Sequence, residues 1–283
     1  MRSRAPPAER VRARVARTAG VRTAALLPRG YQRLGRVLVV RLPESLRPAF
    51  AAIGEAWRAE LGVTSVLRHA GRTDGEDRTP RMELIAGESA ETELRENGLR
   101  YRLDAARLMF AAGNRTERRR EGAIVRPDES VVDLFAGIGY FAIPAAAIGQ
   151  ARSVLAVERN PLAHRFLVEN IHLNRLDGRV HALLGDNRAV HLPSGGADRV
   201  FLGFLPSALP WVDRAIEVVK PGGALHVHLV AGVRHGREGA AARVGAAVRA
   251  AGVQPERLEA REVKPYGPGN AHYVVDVTLG TST

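Results

Sequence analysis

Two closely spaced glycines follow a short apolar run in the stretch VVDLFAGIGYFAIPAA, residues 131–146. The apolar run is typical of a buried strand, and the residues after the glycines are typical of a helix start. Glycines at such a junction let the chain turn and let a ligand approach the backbone closely. Open α/β sheets bind their ligands at the carboxyl ends of the strands. Gly137 and Gly139 therefore indicate a small-molecule site, although a glycine pair alone does not define the ligand.

Acidic residues stand at the ends of three successive predicted strands. Asp133 could contact an amino group, Glu158 could accept hydrogen bonds from both ribose hydroxyls, and Asp186 with Asn187 suits the exocyclic amine of adenine. Three carboxylates would repel a pyrophosphate, so the set favours S-adenosylmethionine (SAM) over a dinucleotide. Each acid alone could instead be a helix cap. The predicted cofactor-binding residues are Asp133, Phe135, Ala136, Gly137, Gly139, Glu158, Arg159, Asn160, Asp186 and Asn187.

The pattern of strands and helices predicts an α/β protein. From Ser130 onward, continuous apolar strands alternate with helices, which indicates a parallel sheet covered on both faces. The last two strands are joined by a Gly-Pro-Gly turn and are expected to pair antiparallel. The fold class is therefore a Rossmann-like sheet with an antiparallel C-terminal hairpin, preceded by a small α+β module.

Four segments are predicted along the chain. Residues 1–34 form a basic N-terminal arm, and residues 35–105 a small module of a helix and short strands separated by polar turns. A linker with a basic helix follows over 106–129. The predicted cofactor domain covers 130–283.

The charge of the chain is concentrated near its start. The protein has 283 residues and a net charge of +12, and residues 1–36 hold ten arginines against Glu9 alone, a net charge of +9. Such a segment suits a polyanion because neutralised phosphates release their counterions. An organelle transit peptide or a solvated tail without a partner are the alternatives. Nucleic acid is the favoured partner.

Composition excludes several classes of protein. The chain has no cysteine, which excludes disulfides and thiolate metal sites and fits a reducing compartment, the cytoplasm. No apolar run approaches the roughly 18 residues that cross a membrane.

His226 and His228 alternate on one strand, so both face the same side. A metal pair is conceivable, but no third ligand is suitably spaced, so we expect a structural role and no metal.

Six motifs resemble one enzyme family, in the order ENGLRYRLD, MFAAGNRTERRR, DLFAGIGYFAIPAA, VERNPLAHRFLVENIHLNR, DRVFLGFLPS and VKPYGPGNAHYVVDV. Over about residues 35–280 the chain is similar to class I SAM-dependent methyltransferases, within these to tRNA enzymes acting on the purine 3′ of the anticodon. The resemblance implies SAM as a substrate and the tRNA anticodon stem-loop as a partner, with no obligate protein partner. One branch of the family methylates guanine N1. The other, in wybutosine biosynthesis, transfers the 3-amino-3-carboxypropyl group to a tricyclic guanine derivative.

Two stretches choose between these branches. The methyltransferases usually carry Asn-Leu-Pro after the fourth strand and Arg-Leu at the place of Gly113 and Asn114. Here the strand ends in LGFLPS, residues 202–207, with Trp211 close behind, and Ala208 stands where a second serine would be expected. The pattern resembles the aminocarboxypropyl branch, which implies transfer to 4-demethylwyosine and release of 5′-methylthioadenosine. The alternatives are a guanine-N1 methyltransferase and a non-catalytic RNA-binding protein. No residue is assigned as a general base.

Two further groups of residues are candidates for contact with the tRNA. The candidates for the acceptor pocket are Phe110, Asn114, Gly203, Phe204, Pro206 and Ser207. A basic cluster before the cofactor domain could be a solvated helix face, but in a tRNA enzyme it is expected to contact phosphates. It consists of Arg115, Arg118, Arg119 and Arg120.

Overall fold

The computed structural model describes residues 5–71, 75 and 79–281. Two compact units divide the chain, the first formed by Met1–Glu96 with Arg100–Phe110, the second by Asn97–Leu99 with Ala111–Thr283. Arg2 and Arg4 of the predicted arm, and most of the predicted polar turn between strands at 71–80, lie outside the described residues.

The first unit is a small α+β fold. It contains the helices α1 (Pro7–Ala19), α2 (Val21–Ala25) and α3 (Phe50–Leu61), and the strands β1 (Gln32–Leu34), β2 (Val37–Val40), β3 (Ser65–His69), β4 (Met82–Ala86), β5 (Glu91–Glu96) and β6 (Leu99–Asp104). The first four strands form a mixed sheet in chain order, and β5 pairs with β6. β2 and β3 are parallel because α3 connects them, and its Ile53 and Trp57 are fully buried.

The predicted arm differs from the structure, because most of it is helical. Val11 and Val15 of α1 are fully buried in the core that also holds α3. Arg10 forms an ion pair of 2.8 Å with Glu60 of α3. Valines four residues apart lie on one helix face, so α1 buries an apolar stripe and turns other side chains outward. The segment therefore belongs to the first unit.

The second unit contains a seven-stranded sheet with the order β12-β13-β11-β10-β7-β8-β9. Its strands are β7 (Ser130–Asp133), β8 (Ser153–Glu158), β9 (Val180–Leu184), β10 (Ala197–Leu202), β11 (Val219–Gly232), β12 (Pro255–Pro265) and β13 (Asn270–Leu279). Its helices are α4 (Arg115–Ala123), α5 (Ala142–Ala147), α6 (Pro161–Leu173), α7 (Val212–Val218) and α8 (Gly236–Ala250). β7 to β11 pair in parallel and β13 pairs antiparallel with both neighbours, which confirms the α/β fold class and the C-terminal hairpin.

Strand order reverses at β7, and this reversal places the site. From β7 the chain builds β8 and β9 on one side, then crosses to β10 on the other. The loops after these strands diverge at the carboxyl edge, where open sheets leave a crevice for a ligand. The predicted cofactor residues follow β7, β8 and β9 and therefore reach this edge.

No described helix combines the length and apolar character needed to cross a membrane. Within the same residues, no group of three or more His, Cys, Asp or Glu side chains is arranged to hold a metal ion.

Candidate cofactor and acceptor site

The glycine loop after β7 needs glycine at positions 137 and 139 because of its backbone conformation and its close packing, apart from any ligand. Gly137 has φ +57° and Gly139 has φ +99°, both in the left-handed region that favours glycine. A Cβ on Gly137 would lie 2.5 Å from Tyr140 Cε2, and one on Gly139 would lie 2.5 Å from Ile143 Cδ1. The loop is thus packed tightly against its own following helix.

Asp133 is buried at the end of β7 and holds this loop at both ends. Its Oδ1 accepts a hydrogen bond from Phe135 N at 3.1 Å, and its Oδ2 accepts one from Ala142 N at 3.2 Å. Burial raises the pKa of Asp133 to about 7, although the two amides act against this rise. Asp133 therefore has a structural role in holding the glycine loop. Contact with an amino group of SAM stays a prediction.

Glu158 ends β8 and bridges the glycine loop to α6. Its Oε2 accepts from Gly137 N at 2.7 Å, and its Oε1 accepts from Asn160 N at 2.7 Å. A carboxylate oxygen can accept more than one hydrogen bond, and contact of Glu158 with ribose hydroxyls stays a prediction. Asn160 is the N-cap of α6, because its Oδ1 accepts from two amides of the first helical turn. Arg159 between them is exposed.

The two polar residues after β9 have different environments. Asp186 is exposed, and its Oδ1 accepts from Arg188 N at 2.9 Å. Asn187 is buried, and its Nδ2 donates to the Leu134 carbonyl at 2.7 Å. Its Oδ1 is also buried and has no hydrogen-bond partner among the described residues. An unsatisfied buried acceptor costs about 1–3 kcal/mol. This oxygen therefore suits the N–H of a bound ligand.

Three aromatic rings join the loops after β7 and β10. Phe135 stacks on Phe204 with ring centroids 5.1 Å apart, and Trp211 lies 5.1 Å from Phe135 and 5.0 Å from Phe204. The Arg188 guanidinium lies 4.4 Å from the Trp211 ring centroid, a cation–π contact. Sequence reasoning missed Arg188. The available signal was a basic residue directly after the Asp186-Asn187 pair.

The loop over 203–207 is shaped by close packing. A Cβ on Gly203 would lie 2.5 Å from Phe141 Cε2. Leu205 and Pro206 are joined by a cis peptide bond, and Pro206 is exposed. The Ser207 hydroxyl accepts a hydrogen bond from the Leu209 amide at 3.3 Å. The loop places the nonpolar side chain of Phe204 against Phe135 and Trp211.

The other two acceptor candidates fall in different units. Phe110 is buried in the first unit, edge-on to Tyr101 at 6.2 Å. Asn114 lies in the second unit, and its Oδ1 is buried without a hydrogen-bond partner among the described residues. Their joint contribution to an acceptor pocket stays a prediction.

The predicted arginine cluster divides into two outward and two inward side chains. Arg115 and Arg119 are exposed. Arg118 is only 2% exposed. Arg120 forms a bidentate ion pair with Asp276 of β13, at 2.8 and 3.0 Å. Phosphate contact was predicted for both of these arginines, but Arg118 donates to the Ala111 carbonyl and Arg120 pairs with Asp276, so both guanidinium groups point inward.

His226 belongs to a buried polar layer between α4 and the sheet. It is hydrogen-bonded to Asp276 at 2.6 Å and to Arg199 at 2.7 Å, and Arg199 pairs with Glu129. Burial lowers the pKa of His226 to about 4, although the hydrogen bond to Asp276 acts against this. Although burial alone would raise the pKa of Asp276, hydrogen bonds with His226 and Arg120 hold it below its usual range.

His228 belongs to the same layer and lies nearer the carboxyl edge. It is hydrogen-bonded to Glu121 at 2.8 Å and to His272 at 3.0 Å, and all three side chains are buried. Burial lowers the pKa of His228 to about 4 and raises that of Glu121. The structure shows hydrogen-bonded, structural roles for both predicted histidines.

Comparison with known proteins identifies relatives over most of the chain. A family model described as the TRM5/TYW2 methyltransferase domain matches residues 92–252, and one described as the TYW2 N-terminal domain matches residues 16–90. The tRNA(Phe) (4-demethylwyosine(37)-C(7)) aminocarboxypropyltransferase of Pyrococcus horikoshii is 36% identical over 255 residues, which is 90% of each chain.

Solved structures agree with these matches. The crystal structure of P. horikoshii TYW2 in complex with MeSAdo has a TM-score of 0.87 at 33% identity, covering 97% of this chain and 100% of that one. The complex structure of aTrm5 and tRNALeu has a TM-score of 0.78 at 27% identity, covering 95% of this chain and 78% of that one. The chain therefore belongs to the TYW2 aminocarboxypropyltransferase family, with a TRM5/TYW2 methyltransferase domain, as its motifs indicated.

Proposed function

We propose that this protein transfers the 3-amino-3-carboxypropyl group of SAM to C7 of 4-demethylwyosine in tRNA. The observation that carries the proposal is the similarity, over nine-tenths of both chains, to a P. horikoshii enzyme with this activity in its name. The related P. horikoshii structure holds MeSAdo, 5′-methylthioadenosine, which is the product that such a transfer releases.

The reaction is a displacement at one carbon of a sulfonium ion. The C7 carbon of the base attacks Cγ of the methionine moiety, and the Cγ–S bond breaks. Its electron pair goes to sulfur, which leaves as the neutral thioether 5′-methylthioadenosine, and C7 then loses its proton. The sulfonium has three electrophilic carbons, so the product depends on which one lies in line with the nucleophile at about 3 Å. Positioning is therefore the main task of the protein.

Residues at the carboxyl edge fit the parts of SAM. Glu158 ends β8 beside the glycine loop, which it holds through the Gly137 amide, and we assign the ribose hydroxyls to its carboxylate. The buried Asn187 Oδ1 needs a donor, which the exocyclic amine of adenine supplies. The glycine loop itself lets the ligand approach its backbone. We assign the adenosine to these groups and the methionine tail to the edge near Asp133.

The aromatic cluster of Phe135, Phe204 and Trp211 is the part of this edge that we assign to product choice. It fixes the loop over 203–207 through ring contacts of about 5 Å and presents no hydrogen-bonding group at position 204. A loop of this kind leaves the aminocarboxypropyl tail unrestrained at that position, so the tail can turn toward the acceptor. Phe204 and its neighbours thereby favour Cγ over the methyl carbon as the electrophile.

The tRNA is the polyanionic partner that we assign to the basic side of the first unit. Exposed arginines of α1, α2 and the following loop form no ion pair within the described part of the chain, and these are Arg14, Arg17, Arg22 and Arg29. We call them the N-terminal arginine face. Phosphates bind such a surface and release counterions. Arg115 and Arg119 of α4 are further candidates, and the anticodon stem-loop is the part of the tRNA that must present its base. We place this activity in the cytoplasm, where tRNA is available.

The two alternatives are less well supported. A guanine-N1 methyltransferase would match the structure of aTrm5, but that protein is less similar in both identity and TM-score than P. horikoshii TYW2. A non-catalytic RNA-binding protein would have no use for a buried acceptor that suits adenine.

A dual-label assay tests the proposal. SAM with one isotope in its methyl group and another in its carboxyl group is incubated with tRNA that carries 4-demethylwyosine. We expect carboxyl label on the tRNA and 5′-methylthioadenosine in solution. The matched control is the same tRNA with unmodified guanosine, which should acquire neither label. Methyl label on either tRNA, with S-adenosylhomocysteine released, would replace the proposal by the methyltransferase alternative.

A further inference from the structure

Arg118 is a buried cation of α4 that touches two segments of the proposed site. Its Nη1 donates to the Ala111 carbonyl at 3.1 Å, and its guanidinium carbon lies 5.8 Å from the centroid of the Tyr140 ring. Ala111 precedes the turn that contains the acceptor candidate Asn114, and Tyr140 belongs to the glycine loop. One side chain thus contacts both the proposed acceptor segment and the proposed SAM loop.

The contact continues from Tyr140 toward the proposed ribose site. The ring lies so close to Gly137 that a Cβ there would be 2.5 Å from Tyr140 Cε2. The Gly137 amide in turn donates to Glu158 Oε2 at 2.7 Å. Protein interiors leave little free volume, so a shift at one of these groups displaces the next.

On the acceptor side, Arg118 and Asn114 share one hydrogen-bond acceptor. The Ala111 carbonyl accepts from the Asn114 amide at 3.0 Å and from the Arg118 guanidinium at 3.1 Å. The side-chain Oδ1 of Asn114 is buried and has no hydrogen-bond partner among the described residues, so it suits a donor on a bound base. Arg118 therefore helps to fix the turn that aims this oxygen.

We propose that Arg118 is a positioning residue that couples SAM binding to acceptor binding. The inference rests on the proposed function for the assignment of SAM to the glycine loop and of the base to the segment at 112–114. A coupling of this kind is reciprocal, so each ligand raises the affinity of the other by the same factor. Arginine suits the role because its planar group can donate to a carbonyl and lie over a ring at once, whereas lysine is a point charge.

The test compares cofactor affinity with and without tRNA. S-adenosylhomocysteine keeps the aminocarboxypropyl tail of SAM but has no sulfonium to react. It is titrated by calorimetry into the protein alone and into its complex with tRNA carrying 4-demethylwyosine. Typical couplings are about 5- to 150-fold, so we expect at least fivefold tighter binding to the tRNA complex of the wild type. In Arg118→Met this ratio should fall to about one, while the affinity without tRNA changes less than about threefold. Arg118→Lys should lie in between.

Two further variants keep the test decisive. Tyr140→Leu removes the ring but keeps the arginine, and it should also lower the ratio, with a double variant no worse than either single one. Arg199→Met breaks another buried ion pair, that with Glu129, and serves as the control for lost stability, so its ratio should match the wild type. A wild-type ratio of one, or a full ratio in Arg118→Met or Tyr140→Leu, overturns the inference. Failure of the proposed function shows separately, as absent carboxyl label with the wild type.

Discussion

The helices α1 and α4 are both rich in arginine, yet they use it in opposite ways. α1 has the sequence PAERVRARVARTA and packs through Val11 and Val15, so Arg14 and Arg17 face outward. α4 has the sequence RTERRREGA and packs through charged groups, among them Arg118 and Glu121. The difference shows that the number of charges on a helix does not decide which way they point. Because α1 packs through apolar residues at helical spacing, its Arg14 and Arg17 face solvent. The buried arginines of α4 are held inside by polar partners, Arg120 by Asp276 on the sheet and Arg118 by the Ala111 carbonyl.

The largest loss of stability at neutral pH is expected from breaking the ion pair that holds α4. Arg120→Met leaves the carboxylate of Asp276 on β13 without its bidentate partner at 2.8 and 3.0 Å. Removal of one partner of a buried pair costs about 3–5 kcal/mol, and partial exposure of this one reduces the cost to about 2–3 kcal/mol. Urea unfolding followed by circular dichroism measures the change. A loss below 0.5 kcal/mol would mean that α4 is held by other contacts.

Acidification should weaken the α4 layer selectively. His226 and His228 have a pKa of about 4 in the folded protein and 6.5 as the ordinary value. Between these values the two histidines bind more protons in the unfolded chain, so their contribution to the free energy of unfolding decreases as the pH falls from 6.5 toward 4. The raised pKa of Glu121 acts in the opposite sense. Asp133 acts in the same sense as Glu121, because its pKa of about 7 lies above the ordinary 3.8 and its contribution is lost as the pH rises through 7.

A variant isolates the histidine contribution. His228→Gln removes one titrating group, so its free energy of unfolding should decline less than that of the wild type between pH 6.5 and 4, by on the order of 1–3 kcal/mol. Glu121, which is hydrogen-bonded to His228 and has a raised pKa, acts in the opposite sense and reduces the difference. Urea titrations at four pH values in this interval measure the two slopes. Equal slopes would show that His228 does not titrate differently in the two states. A variant changed at Arg14, which faces solvent on α1, should show the same pH dependence of unfolding as the wild type.

Neutralising the N-terminal arginine face should affect binding rather than stability. Changing its four arginines to glutamine should weaken tRNA binding on the order of tenfold at low salt and lower the slope of log affinity against log salt by up to about 3. The midpoint of thermal unfolding should stay within a few degrees of the wild type, because the face makes no ion pair within the described residues. Exposed Arg257, which pairs with Glu259 in the second unit, is the matched control for a change of charge elsewhere.

The smallest effect is expected at the outward side of α4. Arg119 is exposed, so Arg119→Gln should change the free energy of unfolding by less than about 0.5 kcal/mol. Because Arg119 faces solvent like Arg14 and Arg17 of α1, loss of its charge should lower tRNA affinity a few-fold at low salt. Filter binding at two salt concentrations measures the change. A loss of stability as large as that of Arg120→Met would remove the distinction between the two faces.

The sequence was informative wherever local pattern determines position. The parallel strands and the hairpin were predicted because apolar runs and glycines act over a few residues, as at Gly137 and Gly139 with their positive φ. The family was also predicted, since its motifs are contiguous. The direction of Arg120 was missed because it depends on Asp276, which is 156 residues away in sequence. The direction of Arg118 was missed because it depends on how the fold brings the Tyr140 ring to α4. The helix α1 was also missed. The many arginines led to the prediction of a basic arm, although Val11 and Val15 have helical spacing.

The short segment Asn97–Leu99 groups with the second unit although its neighbours on both sides group with the first. The Asn97 amide donates to the Arg115 carbonyl at 3.1 Å, and its Oδ1 accepts from the Arg115 guanidinium at 3.3 Å. The chain therefore passes between the units three times, after Glu96, after Leu99 and after Phe110. No single cleavage of the backbone separates the two units. A fragment that begins at Ala111 lacks Asn97–Leu99, which belong to the second unit. Dissection of this protein into halves should fail unless the tip of the β5–β6 hairpin is supplied with the C-terminal part.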